Sequence, residues 1–174
     1  MKRIIWIITA LIILVSGTYL FNYFNLVKPI SLKTEQDERN KGITFGVHYK
    51  NYVQTETLIF DLKTVPSDKA IIDIFRVLLQ TSSALKESDF QTINLSFNGR
   101  TKFILKGKYF KELGKGYDSQ NPVYIMRTFP QHLYNINGQA AYNEWNGGVL
   151  GVLGKQMEDF KDFHDKWYLN ELTR

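Results

Sequence analysis

Residues 4–27 contain no Asp, Glu, Lys, Arg or His, and they follow directly on Met1-Lys2-Arg3. No other stretch constrains the fold of this chain as strongly. As a helix, at about 1.5 Å per residue, the run reaches about 36 Å, against a hydrocarbon core of about 30 Å. Its first half is almost wholly aliphatic. Its second half carries Tyr19, Phe21, Tyr23 and Phe24 with Asn22 and Asn25. Tyrosine suits the headgroup boundary, where an amphipathic ring sits half in lipid. Pro29 is expected to stop the helix, because it lacks an N–H and disfavours helical backbone at Lys28.

Residues 1–27 are therefore read as an uncleaved membrane anchor that contacts the bilayer through residues 4–27. The alternative is a signal peptide cleaved near Gly17, after the small residues Val15-Ser16-Gly17. Retention is preferred because the apolar character continues past Gly17, and cleavage would leave Tyr19, Leu20, Phe21, Tyr23 and Phe24 on a frayed end. Lys2 and Arg3 argue for an N-terminus inside, although Lys28, Lys33, Arg39 and Lys41 follow the run. The expected location is the cytoplasmic (inner) membrane, with the remainder outside. The chain has no cysteine, which excludes disulfides, thiolate metal sites, Cys nucleophiles and thioether lipid attachment.

Residues 28–42 (KPISLKTEQDERNKG) read as a short polar linker. Residues 43–174 are long enough for one domain with a core. Ile43, Phe45, Val47 and Tyr49 alternate with polar residues, as do Leu58, Phe60 and Leu62, so two strands are expected. Ser67 is a candidate N-cap for a helix in which Ile71, Ile74, Phe75, Leu78, Ser82 and Leu85 share a face. Two more alternating runs flank Asn98-Gly99, the preferred type I′ hairpin turn. A short helix over residues 108–113 and a fifth strand over residues 123–126 are expected next, with a helical turn opened by Pro130. The last helix has a stripe of Leu150, Leu153, Met157, Phe160, Phe163 and Trp167. The order β-β-α-β-β-α predicts an α+β fold: a single two-layer domain with an antiparallel sheet of four or five strands. Its helices, including the amphipathic C-terminal one, would pack mainly on one face.

The best functional clue beyond the anchor is charge. Arg100, Lys102, Lys106, Lys108, Lys111 and Lys115 cluster with a single acid, Glu112. This stretch is +5, while the whole chain is +5 with Lys2 and Arg3 included, so the excess is local. Simple alternation puts Arg100, Lys102 and Lys106 on one outward face of a strand. Such a face attracts anionic lipid, an anionic polymer or an acidic partner; as an ordinary solvated face it would only discourage edge pairing. No nucleic-acid partner is expected outside the cytoplasm.

Catalytic signatures are thin. His48, His132 and His164 lie far apart, and none forms a metal-ligand pair, so neither metal nor cofactor is expected. His132, His164 and Glu144, the last beside Trp145, are the only candidates for acid–base chemistry. Gly148, Gly151 and Gly154 in GGVLGVLG lack the strand and the Lys-Ser/Thr pair of a phosphate loop. They suggest either close helix packing or a flexible apolar loop. The expected function is a non-enzymatic, membrane-anchored binding or assembly module of the cell envelope. An envelope hydrolase or transferase on an anionic or sugar polymer is the first alternative. Direct binding of anionic lipid by the basic strand is the second.

Overall fold

A computed structural model describes residues 2–146 and 149–172. Helix α1, Lys2–Asn22, passes without a break into a π-helical turn, Tyr23–Val27, and then into α2, Lys28–Thr34. Together they form one 33-residue helix. Pro29 does not stop it. The turn before Pro29 is already widened, with Lys28 N–H donating to Tyr23 O, five residues back. A π turn displaces the carbonyl with which a proline ring would otherwise clash.

Residues 28–42, expected as a solvated linker, are instead helical to Thr34 and form a 3-10 turn over Glu38–Asn40. Asn22, Leu26, Ile30 and Thr34, every fourth residue, are all buried. Of the charged side chains that suggested a linker, only Lys28 and Lys33 lie on this helix, and Glu35, Asp37, Glu38, Arg39 and Lys41 follow its end.

Strands β1 (Thr44–Lys50) and β2 (Gln54–Thr64) form an antiparallel hairpin. Helix α3 (Ile71–Ala84) leads to a second hairpin, β3 (Thr92–Phe97) and β4 (Arg100–Lys106). Helices α4 (Gly107–Gly116) and α5 (Pro122–Thr128) follow, then a short β5 (Leu133–Tyr134). The chain ends with α6 (Val149–His164), a π turn over Asp165–Leu169, and α7 (Asn170–Leu172).

The strand order is β1-β2-β3-β4-β5, and the sheet is mixed rather than antiparallel, because β2 and β3 run parallel. The α3 crossover causes this: a helix between two strands returns the chain to the end where it started, as a parallel pair requires. Residues 123–126 are helical, not a strand. Asn121 caps that helix by accepting Val123 N–H, and Pro122 occupies its first position, a start signal that overrides a short apolar pattern. Helix α3 begins at Ile71, later than Ser67 suggests, because the Asp73 carboxylate accepts Ala70 N–H at 3.0 Å.

Leu58, Phe60, Leu62, Ile93, Leu95, Phe103 and Leu105 form the buried sheet face. Aromatic rings from α6 and the π turn after it lie over this face, with Phe103 against Phe163 and Phe60 against Trp167. Helix α3 is buried around most of its circumference, well beyond the one stripe expected. Lys33 of α2 donates to Ser83 on its outer side, and α4 passes so close that a side chain at Gly114 would collide with Ser82 O.

Asn98 and Gly99 both have positive φ, the type I′ hairpin that the sequence predicts. The buried Asp61 carboxylate on β2 holds the turn, accepting Gly99 N–H at 3.0 Å. Beyond the turn, Phe97 faces Arg100 and Ser96 faces Thr101, but Leu95 faces Phe103. Lys102 is the extra residue of a β-bulge. Asp61→Ala leaves the Gly99 N–H without its buried acceptor, and a loss of about 1–3 kcal/mol is expected in urea unfolding. An unchanged midpoint would mean that the turn holds without this carboxylate.

Candidate functional site

The most organised polar contact between the apolar helix and the sheet is Asn22. Its Oδ1 accepts Tyr49 N–H at 2.9 Å, and its Nδ2 donates to Tyr52 O at 2.8 Å and to Thr18 O at 2.8 Å. One amide therefore ties the helix to the β1–β2 turn. Asn51 and Tyr52 both take positive φ there, a backbone state that costs a non-glycine residue about 1 kcal/mol or more. Tyr52 stacks on His48 at 4.5 Å, and Phe21 packs on Tyr49 at 5.5 Å. A second set of contacts holds the helix further along. Asn40 bonds to Thr34 O and to Gln80, and Gln80 donates to Asp37. Arg39, paired with Asp37 at 2.8 Å, holds that carboxyl well below the usual carboxylate range, with help from Gln80 and Arg76.

The basic run does not make one surface. The bulge at Lys102 breaks the alternation, so Arg100 pairs across from buried Phe97 on the helix-covered face, while Lys106 pairs with Thr92 on the opposite one. Arg100 meets Glu171 at 2.6 Å, and Lys102 also pairs with Glu171. Lys106 lies over the Tyr134 ring at 4.7 Å. Lys111 pairs with Asp89, and Lys108 and Lys115 are exposed on α4. Topology separates them further. Lys106 and Lys108 sit at the sheet end that carries Asn51 and Tyr52, and Arg100 and Lys102 at the far end with Asn98-Gly99.

The three histidines are not gathered. His48 is half-buried on the outward face of β1, with Nδ1 2.8 Å from Tyr49 O. His132 stacks on Tyr109 at 3.7 Å in a shallow pocket of about 220 Å³ shared with Glu112, Gln120 and Gln131. Burial lowers its pKa, opposed by Glu144 and Glu112. Its hydrogen-bond contact is Gln131 Nε2 at 3.5 Å, and no hydrogen bond joins it to a carboxylate among the described residues. His164 is fully buried among Phe75, Phe160, Phe163, Trp167 and Tyr168, with both ring nitrogens unpartnered. Glu144 is exposed. Its neighbour Trp145 anchors the segment to α6, donating to Asp159 at 2.6 Å under the Lys155 ammonium. Among the described residues no three His, Asp or Glu side chains come together as metal ligands.

Gly147 and Gly148 lie outside the described residues. Gly151 and Gly154 sit on exposed turns of α6, where a Cβ would meet nothing within 4 Å. The close-packing explanation therefore fails for both, and their helical backbone does not fit the loop alternative. Gly151→Ala and Gly154→Ala should each stabilise the fold by about 1 kcal/mol, seen as a rise in Tm of the detergent-solubilised chain. A fall in Tm would show that the open space is needed.

Burial pushes His164 down to about 3 from the ordinary 6.5. The unfolded chain takes up this proton more readily than the folded one, so the stabilisation is complete above about pH 6.5 and is lost as pH falls towards 3. Between pH 7 and pH 5 the expected loss is about 2 kcal/mol. His164→Leu should remove most of that loss in urea unfolding at the two pH values. An equal loss in both proteins would exclude His164 as its source.

Comparison with protein-family models, with curated proteins and with solved structures finds no match to this chain.

Proposed function

We propose that the chain is an uncleaved, single-pass membrane protein, N-terminus in, whose α+β domain is a non-enzymatic binding or assembly module at the outer face of the cytoplasmic membrane. The observation that carries this reading is the division of the long helix. Its apolar first part, from Ile4 to Leu20, has almost no protein around it, whereas Asn22, Leu26, Ile30 and Thr34 are buried against the domain. A bilayer is the solvent that suits the first part. The helix also passes through Gly17 unbroken, and cleavage there would leave Tyr19, Leu20 and Phe21 in water.

The binding role draws support from the edge of the sheet. Among the described residues no strand pairs with β1 on its outer side. Tyr49 N–H points away from β2, towards Asn22, so by antiparallel alternation the peptide groups of Val47 and Phe45 also face outwards. A groove of about 540 Å³ lies between α2 and this edge, lined by Val27, Ile30, Ile43, Phe45 and Val47 among others. An extended segment of a partner protein could add to β1 and place apolar side chains in the groove.

The test uses full-length protein in its native membrane, with a photo-crosslinker in place of the exposed Thr44. The expected result is a 20.3 kDa protein that resists carbonate extraction and gives a defined crosslinked adduct. A shortened or soluble product overturns the anchor, and a lone monomer after irradiation overturns the binding role.

A further inference from the structure

We infer that the β1–β2 turn is a second membrane contact, seated in the headgroup boundary of the same bilayer that holds the helix; this rests on the anchor reading above. A hydrocarbon core takes about 20 helical residues, which from Ile4 ends at Tyr23. That is the level at which the helix joins the domain, because Asn22 Nδ2 reaches Tyr52 O at 2.8 Å. The turn cannot then stand far from the lipid. The linkage is a hydrogen-bonded amide on a continuous helix, not a flexible tether.

The side chains at that level suit the boundary. Tyr52 and Val53 are 51% and 60% exposed, and the helix carries the exposed rings of Tyr19, Tyr23 and Phe24 within a turn of Asn22. Amphipathic rings at the outer edge of a span are the usual occupants of this zone, and lysines sit at headgroup height. Lys50 adjoins the turn, and Lys28 lies 5.7 Å from the Phe24 ring. The opposite end of the sheet supplies the contrast: its hairpin turn is Asn98-Gly99, with no apolar side chain to place. Charge increases away from the helix even at the near end, where the loop entering β3 carries Lys86, Glu87 and Asp89. The contact is therefore local to the helix and the β1–β2 turn.

The absence of cysteine makes the test clean. Single-Cys variants Leu11→Cys, Val53→Cys and Asp68→Cys, each in the full chain, are labelled with an environment-sensitive nitrobenzoxadiazole dye. They are reconstituted into phosphatidylethanolamine/phosphatidylglycerol vesicles containing doxyl-labelled lipid. Leu11 reports the span, Val53 the turn, and Asp68, exposed in the loop after β2, the far end. Val53 dye should emit to the blue of Asp68 dye and be quenched by doxyl placed near the headgroup. Leu11 dye should be quenched by doxyl placed deep in the chain. If Leu11 is quenched while Val53 behaves as Asp68 does, the turn contact is refuted and the anchor stands. If Leu11 is not quenched, the anchor reading fails and this inference with it.

Discussion

Everything in this structure hangs on one helix that meets two environments along its length. Up to Leu20 its side chains have almost no protein neighbours, and from Asn22 onwards every fourth side chain is buried. A regular α-helix cannot keep a strict four-residue repeat on one face, because each step winds about 40° past a full turn. The π turn at Tyr23–Val27 unwinds the helix where the repeat begins. Asn22, Leu26, Ile30 and Thr34 can then address the domain together. The same widened turn makes room for Pro29, so one local distortion solves two problems.

That economy explains what the sequence hid. An apolar run followed by Pro and charges has the composition of a helix, a stop and a linker. The run itself is helical as expected, but Ile30 was one apolar residue among polar ones and carried no signal of burial. Asn22 was the better signal. An amide inside an apolar run needs a partner, and its partners lie 27 and 30 residues further on. The two hairpins, the α3 helix and the C-terminal helix were legible because each has a local pattern. The parallel pairing of β2 with β3 was not local, although a helix between two strands already implies it. The bulge was legible in principle. A two-residue turn at Asn98-Gly99 pairs odd-numbered residues with even ones, yet the core side chains Ile93, Leu95, Phe103 and Leu105 are all odd. An extra residue must lie between them, and Lys102 is that residue.

The bulge also changes the meaning of the charge. A +5 stretch looks like one surface when read as a line. Folded, it is divided between two sheet faces and two sheet ends, and Glu171, from the end of the chain, neutralises part of it. His164 makes the same point for the catalytic candidates. It was a candidate for acid–base chemistry, but the aromatic stripe continues through it, and the ring serves as core volume. His132 does reach a pocket. That pocket, at about 220 Å³, is smaller than the roughly 300–1,000 Å³ of most small-molecule sites.

A domain on a loose tether and a domain on a rigid stalk bind differently. On a tether, any partner must offset the cost of fixing the domain's height and rotation. Here the Asn22 amide, the packed α2 and the cluster of Asp37, Asn40, Arg76 and Gln80 hold the domain to the helix, so in the proposed anchored arrangement both would be fixed before a partner arrives. If the apolar helix spans a bilayer as proposed, the outward peptide groups of Phe45 and Val47 lie at a set height above it and face a set direction around it. A partner held in the same membrane would meet them with little further ordering. The selectivity of such an edge would lie partly in position: a segment of suitable sequence presented at the wrong height would not reach it.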